Sequence, residues 1–182
     1  MRCPTTAAAL AAAHPRQLAA EDARLHGSGL IVIRKAARRI LHFSEGQLLE
    51  DSCWPIGLGF APEQHKLVEG DGRTPEGWYR TSDKPWSQYY SAIAIHYPSE
   101  SDAIIAEGDG RIDVATRQRI VRALQRDDKP PQTTPMGGEI LIHGGGSSSD
   151  WTLGCIAMDN ESIDRMRTQM PPSMHTDVLI LP

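Results

Sequence analysis

The stretch from Glu139 to Asn160 constrains the fold most, because it combines a strand pattern, a tight loop and a returning apolar segment. Residues 139–143 alternate between polar and apolar side chains, as a half-buried β-strand does. The next seven residues, 144–150, are glycine, serine and aspartate, which favour a surface loop. A strand that ends in a tight return can bring His143 against Cys155.

The predicted strand presents its histidine on a defined face. Period-two geometry puts Leu141 and His143 on one face, and Ile140 and Ile142 on the other. A thiol beside an imidazole is the minimum equipment for cysteine nucleophilic catalysis. The alternative is structural, because a cysteine in an apolar run is often a small buried hydrophobe and a histidine at a strand end can be a packed one.

Two glycines favour the catalytic interpretation. Gly154 directly precedes Cys155 and leaves backbone N–H groups unobstructed, as an oxyanion hole requires. Gly144 directly follows His143 and allows a sharp turn, so that its carbonyl can accept from the imidazole N–H. The sequence therefore predicts a catalytic group of Cys155, His143, Gly144 and Gly154.

Two motifs carry a resemblance to a known family. His143-Gly144 is followed by the run from Thr152 to Met158, TLGCIAM, and an earlier block from Gly70 to Tyr79 reads GDGRTPEGWY. Together they resemble the L,D-transpeptidase (YkuD-type) catalytic domain of bacterial cell-wall enzymes, over residues 28–182. The resemblance implies a mainly β domain with a few short helices, built on a curved mixed β-sheet or sandwich.

The resemblance also implies an activity. It predicts a cysteine-dependent peptidoglycan L,D-transpeptidase of the bacterial periplasm or cell envelope, which forms 3-3 cross-links between stem peptides through a thioester acyl-enzyme. No metal or organic cofactor is implied. The same cysteine and histidine also suit an L,D-carboxypeptidase or amidase-type hydrolase, since the acyl group can pass to water. A non-catalytic cell-wall binding domain is a third alternative.

The expected substrate contacts come from residues near the two motifs. We expect Trp151, Thr152, Tyr90 and Trp86 to bind substrate, with Tyr89 as a further candidate, although the aromatic side chains could instead pack in the core. We also expect His143 to lower the pKa of the Cys155 thiol.

Three residues of the TLGCIAM run depart from the commonest form of the family. Thr152 replaces serine and keeps a hydroxyl, Leu153 replaces a frequent histidine, and Ala157 replaces a frequent arginine. The missing arginine puts carboxylate recognition by that route in doubt, and it is the motivation for the non-catalytic alternative.

Composition narrows the remaining classes. A chain of 182 residues is one domain, or one domain with an appendage. A net charge of −4 argues against nucleic acid as a partner, and no apolar run approaches the length of a membrane span. No HExxH or CxxC spacing supports a metal site. The oligomeric state stays open.

The remaining patterns predict the other elements. Residues 1–27 are expected to form an N-terminal extension, in which Met1-Arg2 and the alanine run 7–13 faintly resemble a signal peptide and residues 15–25 form a helix capped by Gly27. Strands are expected at 30–33, 39–43, 47–50, 92–96 and 177–181, and helices from 112 to Pro130 and from an Asn160 cap. The basic cluster 34–39 is expected to be a solvated hairpin. Of the three cysteines, Cys3 and Cys53 could form a bridge, or Cys53 could pack in a strand.

Overall fold

The computed structural model describes residues 3–182, and its centre is one eight-stranded mixed sheet. The strands are β1 (Leu30–Arg34), β2 (Arg39–Ser44), β3 (Gln47–Pro55), β4 (Gly77–Asp83), β5 (Ile93–Ile95), β6 (Leu141–His143), β7 (Ile156–Ala157) and β8 (Asp177–Leu181). Their spatial order is β3-β2-β1-β8-β4-β5-β6-β7. Neighbours are antiparallel except for β1 with β8 and β6 with β7, which are parallel. The predicted mainly β fold with a curved mixed sheet is confirmed.

The sheet curls until the chain that follows its first edge strand meets the opposite edge. Beyond β3, Gly57 pairs with Ala157 and Gly59 pairs with Thr152. Side chains larger than hydrogen do not fit at these crossings, because a Cβ on Gly57 would lie 2.1 Å from the Ser149 carbonyl oxygen and one on Gly59 would lie 2.0 Å from that of Gly72. The half-barrel therefore depends on two close backbone approaches, and they border the Thr152–Ala157 segment.

Four helices cover the two faces of the sheet. The helices are α1 (Ala7–Ala13), α2 (Glu100–Gly108), α3 (Val114–Gln125) and α4 (Asn160–Gln169). The larger core combines α2, α3 and α4 with one face of the strands, through residues such as Ala106, Ile120 and Met166. A smaller core lies on the other face, where Leu10 of α1 packs with Val32 and Phe43.

The described part of the N-terminal extension is bound to the sheet rather than separate from it. Thr6 caps α1 and forms a bridge with Gln47, and a disulfide joins Cys3 to Cys53 of β3. The predicted helix over residues 15–25 is wrong, because the helical residues are Ala7–Ala13 and a short 3-10 turn, Ala23–His26. Gly27 does cap that turn, as predicted. Met1 and Arg2 of the signal-peptide interpretation lie outside the described residues.

Two other local expectations are corrected. The basic cluster is not simply solvated, because Lys35 is buried and its ammonium donates to the carbonyl oxygens of Gln64 and Thr74 and to Glu76. Helix α4 has Asp159 rather than Asn160 at its N-cap position. Among residues 3–182, no helix has both the length and the apolar character that crossing a membrane requires.

Candidate active site

Parallel pairing of β6 with β7 brings the candidate histidine and cysteine together. Ile142 pairs with Ile156 and His143 pairs with Ala157, so Cys155 lies opposite Leu141. Because side chains alternate, Cys155 and His143 share one face, and standard strand dimensions put their Cα atoms about 8 Å apart. The predicted faces are confirmed, since Leu141 packs with Cys155 while Ile140 and Ile142 belong to the larger core.

The Cys155 sulfur lies between a backbone acceptor and a backbone donor. Its thiol donates to the Glu139 carbonyl oxygen at 3.3 Å, and the Leu141 N–H donates to the sulfur at 3.4 Å. The first contact favours the neutral thiol and the second favours the thiolate.

The free protein holds this sulfur as a thiol. Burial raises the pKa of Cys155, and this outweighs the opposing effects of the Leu141 N–H and the positive charges of Lys84 and Lys66. The expectation that the neighbouring imidazole lowers this pKa is therefore wrong for the free protein.

His143 has the tautomer that suits proton transfer. Its Nδ1 lies 2.5 Å from the Gly144 carbonyl oxygen, which can only accept, so Nδ1 carries the proton and Nε2 has the free lone pair. This is the contact predicted from the position of Gly144. Burial lowers the pKa of His143, with the Gly144 carbonyl acting in the opposite direction, so the imidazole is neutral at pH 7. Tyr89 stacks on the ring at 4.7 Å and Trp151 meets it edge-on at 5.7 Å, which fixes its plane.

Gly154 has a structural reason to be glycine but does not itself supply a free N–H. Its φ of +136° and the Arg73 carbonyl oxygen, 2.7 Å from an added Cβ, both exclude a side chain. Its N–H donates to the Thr152 hydroxyl at 3.1 Å, and that hydroxyl donates to the Cys155 carbonyl oxygen at 2.8 Å. The Cys155 N–H has no hydrogen-bond partner in the described part of the chain. Of these two backbone N–H groups, that of Cys155 is therefore the one available to donate to an oxyanion.

Polar side chains hold the loop that connects histidine to cysteine. The Asn160 side-chain oxygen accepts from the Gly145 N–H at 2.9 Å, and Asp159 accepts from both the backbone and the hydroxyl of Ser147. At the other end of the loop, Asp150 forms a two-oxygen pair with Arg38 and accepts from the Leu58 N–H at 2.9 Å. The loop is therefore fixed at both ends, and none of these partners was predicted.

A cavity of about 620 Å³ opens over the sulfur and the imidazole. Cys155, His143, Trp151, Thr152 and Trp86 line it. Tyr90 does not, because it borders a neighbouring cavity of about 380 Å³ and its hydroxyl donates to Asp164 at 2.7 Å. Core packing is wrong for the aromatic residues, since Trp86, Tyr89, Tyr90 and Trp151 are all exposed.

A charged cluster at the cavity was missed by the sequence analysis. The Glu139 carboxylate pairs with the ammonium of Lys84 and, through its other oxygen, with that of Lys129 at 3.0 Å. Lys84 and Glu139 line the cavity. The three residues are far apart in sequence and belong to no motif, so the available signal was limited to the position of Glu139 at the start of the predicted strand.

The sequence also matches a family description, YkuD: L,D-transpeptidase catalytic domain, over residues 28–180. The chain belongs to the L,D-transpeptidase catalytic-domain family. This match covers the half-barrel, both motifs and the cavity. Family members act on the cell wall outside the cytoplasm, and the Cys3–Cys53 disulfide fits such a compartment.

Solved structures share the fold of this L,D-transpeptidase-family chain. The helical cell shape determining protein Pgp2 from Campylobacter jejuni aligns with a TM-score of 0.56 at 22% identity, over 84% of this chain and 47% of that one. Bdellovibrio bacteriovorus Bd1075 aligns with a TM-score of 0.51 at 20% identity, over 86% and 48%. The chain thus spans about half the length of either structure. Among curated proteins the comparison found no match.

The structure shows the environment of the three residues that depart from the family's commonest motif. Ala157 is fully buried, exchanges two backbone hydrogen bonds with Gly57 and does not line the cavity. Leu153 is 74% exposed and lines the cavity. Thr152 keeps the hydroxyl contacts described above. The alanine at 157 therefore leaves the thiol, the imidazole and the Cys155 N–H intact.

Proposed function

We propose that this protein is a cysteine acyltransferase acting on peptidoglycan stem peptides in the bacterial cell envelope, with Cys155 as nucleophile and His143 as base. One observation carries the proposal: a thiol and a correctly protonated imidazole face one open cavity beside a backbone N–H that has no other partner. Family membership supplies the substrate class. The neutral thiol, the neutral imidazole and the oriented Nε2 all favour general-base activation.

In the first half-reaction the thiol proton moves to His143 Nε2 as the sulfur attacks a peptide carbonyl carbon. A carbon–sulfur bond forms, and the developing oxyanion accepts a hydrogen bond from the Cys155 N–H. The tetrahedral intermediate then collapses, the carbon–nitrogen bond breaks, and His143 returns the proton to the leaving amine. The product is a thioester on Cys155 and a free amine.

In the second half-reaction an acceptor amine attacks the thioester, and His143 again takes and returns the proton. If the acyl donor is the diaminopimelate carbonyl of one stem and the acceptor is a side-chain amine of another, the product is a 3-3 cross-link. The neighbouring cavity supports this transfer, because it shares residues 84 and 87–89 with the first and offers room for a second peptide.

Hydrolysis is the second candidate, and the exposure of the cavity favours it. Trp86 at the mouth is 77% exposed, so water can reach the acyl-enzyme. The same intermediate then yields a trimmed stem instead of a dimer, as in an L,D-carboxypeptidase or amidase-type hydrolase.

The test is incubation with purified tetrapeptide muropeptides followed by mass spectrometry. Cross-linked dimers support transfer, and trimmed monomers support hydrolysis. An acyl adduct on Cys155 is expected in either case, and Cys155→Ala should abolish both products. Ser148→Ala is a matched control, because this exposed serine lies on the same loop. Product formation that survives Cys155→Ala, or none by the wild-type protein, would overturn the proposal.

A further inference from the structure

Two ammonium groups and one carboxylate, those of Lys84, Lys129 and Glu139, form a cluster at the edge of the cavity. Glu139 contacts Lys84 through one carboxylate oxygen and Lys129 through the other. Lys84 borders the cavity that contains Cys155, whereas Lys129 borders a separate surface depression. The reaction steps above use none of these three side chains.

The net charge of the cluster favours binding of one further negatively charged group. Burial lowers the pKa of Lys129 to about 8, and the nearby Lys84 charge adds to this effect, so Lys129 remains mostly protonated at pH 7. Two cations and one anion give the cluster one net positive charge at the edge of the cavity, in a chain whose overall charge is −4. Asp83, the residue next to Lys84, is already paired with Arg167 at 2.9 Å. A carboxylate entering the cavity can therefore form a charge-assisted hydrogen bond with Lys84.

Glu139 contacts both the Cys155 sulfur and the Lys84 ammonium. Its carbonyl oxygen accepts from the Cys155 thiol, and its carboxylate reaches Lys84. Both contacts belong to the same residue, whose carbonyl oxygen and carboxylate can be no more than about 7 Å apart by standard bond lengths. A peptide whose scissile carbonyl lies at the sulfur carries the carboxylate of a single following residue at a similar distance. Lys84 is thus placed for a leaving group of one amino acid.

The backbone at Glu139 supports a role for this side chain. Its φ is +53°, in the left-handed region, and it follows two glycines at 137 and 138. Glycine or asparagine adopts this conformation with less strain than glutamate does. The carboxylate that this strained position carries is the one that pairs with Lys84.

We propose that Lys84 binds the free C-terminal carboxylate of the stem peptide and so selects donors in which a single amino acid follows the scissile carbonyl. The substrate carboxylate takes the Lys84 contact from Glu139, which keeps its contact with Lys129. The proposal rests on the function proposed for Cys155.

The test compares two synthetic tetrapeptide stems, one with a free C-terminal carboxylate and one with a C-terminal carboxamide. The wild-type protein is expected to process the acid with a kcat/KM about 10- to 100-fold higher, the range for one charge-assisted hydrogen bond. Lys84→Met should lose this preference, mainly through KM for the acid, and should process the acid and the amide with similar kcat/KM. Lys84→Arg should recover part of the preference, because it restores the positive charge.

Lys129→Met is the matched control, since it removes a nearby ammonium that lies outside the cavity. It should reduce the preference for the acid much less than Lys84→Met does, because it removes a partner of Glu139 but no group that contacts the substrate. Glu139→Gln should lower KM for the acid, because the competing carboxylate is gone. Equal processing of acid and amide by the wild-type protein, with an acyl adduct on Cys155, would overturn the role of Lys84 and leave the proposed function standing. Absence of any adduct from either peptide would overturn the proposed function, and this role with it.

Discussion

Replacing Thr152 with valine tests whether one hydroxyl holds the oxyanion donor in place. This side chain is buried, accepts from the Gly154 N–H and donates to the Cys155 carbonyl oxygen. Valine has nearly the same shape, so Thr152→Val removes the two hydrogen bonds without leaving a large cavity. The peptide units on both sides of the Cys155 N–H then lose their restraint.

The structure sets the size of the effect. An unsatisfied buried backbone group costs about 1 to 3 kcal/mol, and the Cys155 carbonyl is near the cavity and can bind water, so we expect a total loss of about 2 to 3 kcal/mol in the free energy of unfolding. For a chain of this length that lowers Tm by about 4 to 12 °C. A displaced oxyanion donor should reduce kcat by about 10- to 100-fold while KM changes little.

The assay combines thermal unfolding with single-turnover acylation of Cys155 by a tetrapeptide stem. Thr152→Ser is the matched control, because serine keeps the hydroxyl and is expected to keep kcat within a few fold of the wild-type value. Wild-type Tm and kcat in the valine variant would refute the reasoning, because the hydroxyl would then hold nothing that the reaction needs. A lowered Tm with an unchanged kcat would separate folding from the oxyanion donor.

Three further predictions concern the disulfide, the thiol and the imidazole. Replacing Cys3 and Cys53 together with serine should lower the free energy of unfolding by about 4 kcal/mol in a urea titration, because the bridge closes a loop with a sequence separation of 50; a loss below about 1 kcal/mol would contradict this. Because burial raises the pKa of Cys155, iodoacetamide should label it slowly at pH 7 and faster as pH rises, and rapid labelling at pH 7 would refute a neutral thiol. Because burial lowers the pKa of His143 from 6.5, the acid limb of kcat/KM should lie below pH 6.5, and a midpoint above 7 would count against this histidine as the base.

Local sequence patterns predicted three strands closely but missed β4 and β7 and gave only the first half of β3. The expected strands at 30–33, 39–43 and 177–181 match β1, β2 and β8 within a residue at either end. The strand at 139–143 was predicted two residues too long at its start, because Glu139 takes a left-handed φ and Ile140 precedes the pairing. Alternation identifies a face but does not reveal where pairing begins.

The N-terminal helix was misplaced because two signals competed. Pro15 at a helix start and Gly27 at a helix end suggested one helix between them, yet Thr6 accepts from the Ala9 N–H and starts the helix in the alanine run instead. Alanine has the highest intrinsic helix propensity, and α1 gains further stability by packing Leu10 in the smaller core. Neither the cap contact nor the packing surface is visible in a linear pattern.

Long-range polar contacts could not be predicted at all. Lys35 looked like a member of a basic hairpin, but its acceptors come from residues 64, 74 and 76, which only the curl of the sheet brings to it. The same holds for Asp150, whose partners Arg38 and Leu58 lie far from it in the sequence. Such contacts depend on the completed tertiary fold, so the supporting network was missed, whereas Cys155 and His143, the proposed nucleophile and base, do line one cavity.

The opposite pKa shifts of the two central groups also explain why the motif alone gave the wrong electrostatics. Burial disfavours whichever form is charged, so it raises the pKa of Cys155 and lowers that of His143 in the same cavity. An ion pair between thiolate and imidazolium would need both shifts reversed, whereas a neutral pair is what both shifts favour. In the proposed reaction the nucleophile is generated only as the sulfur attacks, when the Cys155 N–H stabilises the new oxyanion. Specificity therefore depends on how the carbonyl is held over the sulfur, and Lys84 is the described cation that lines this cavity.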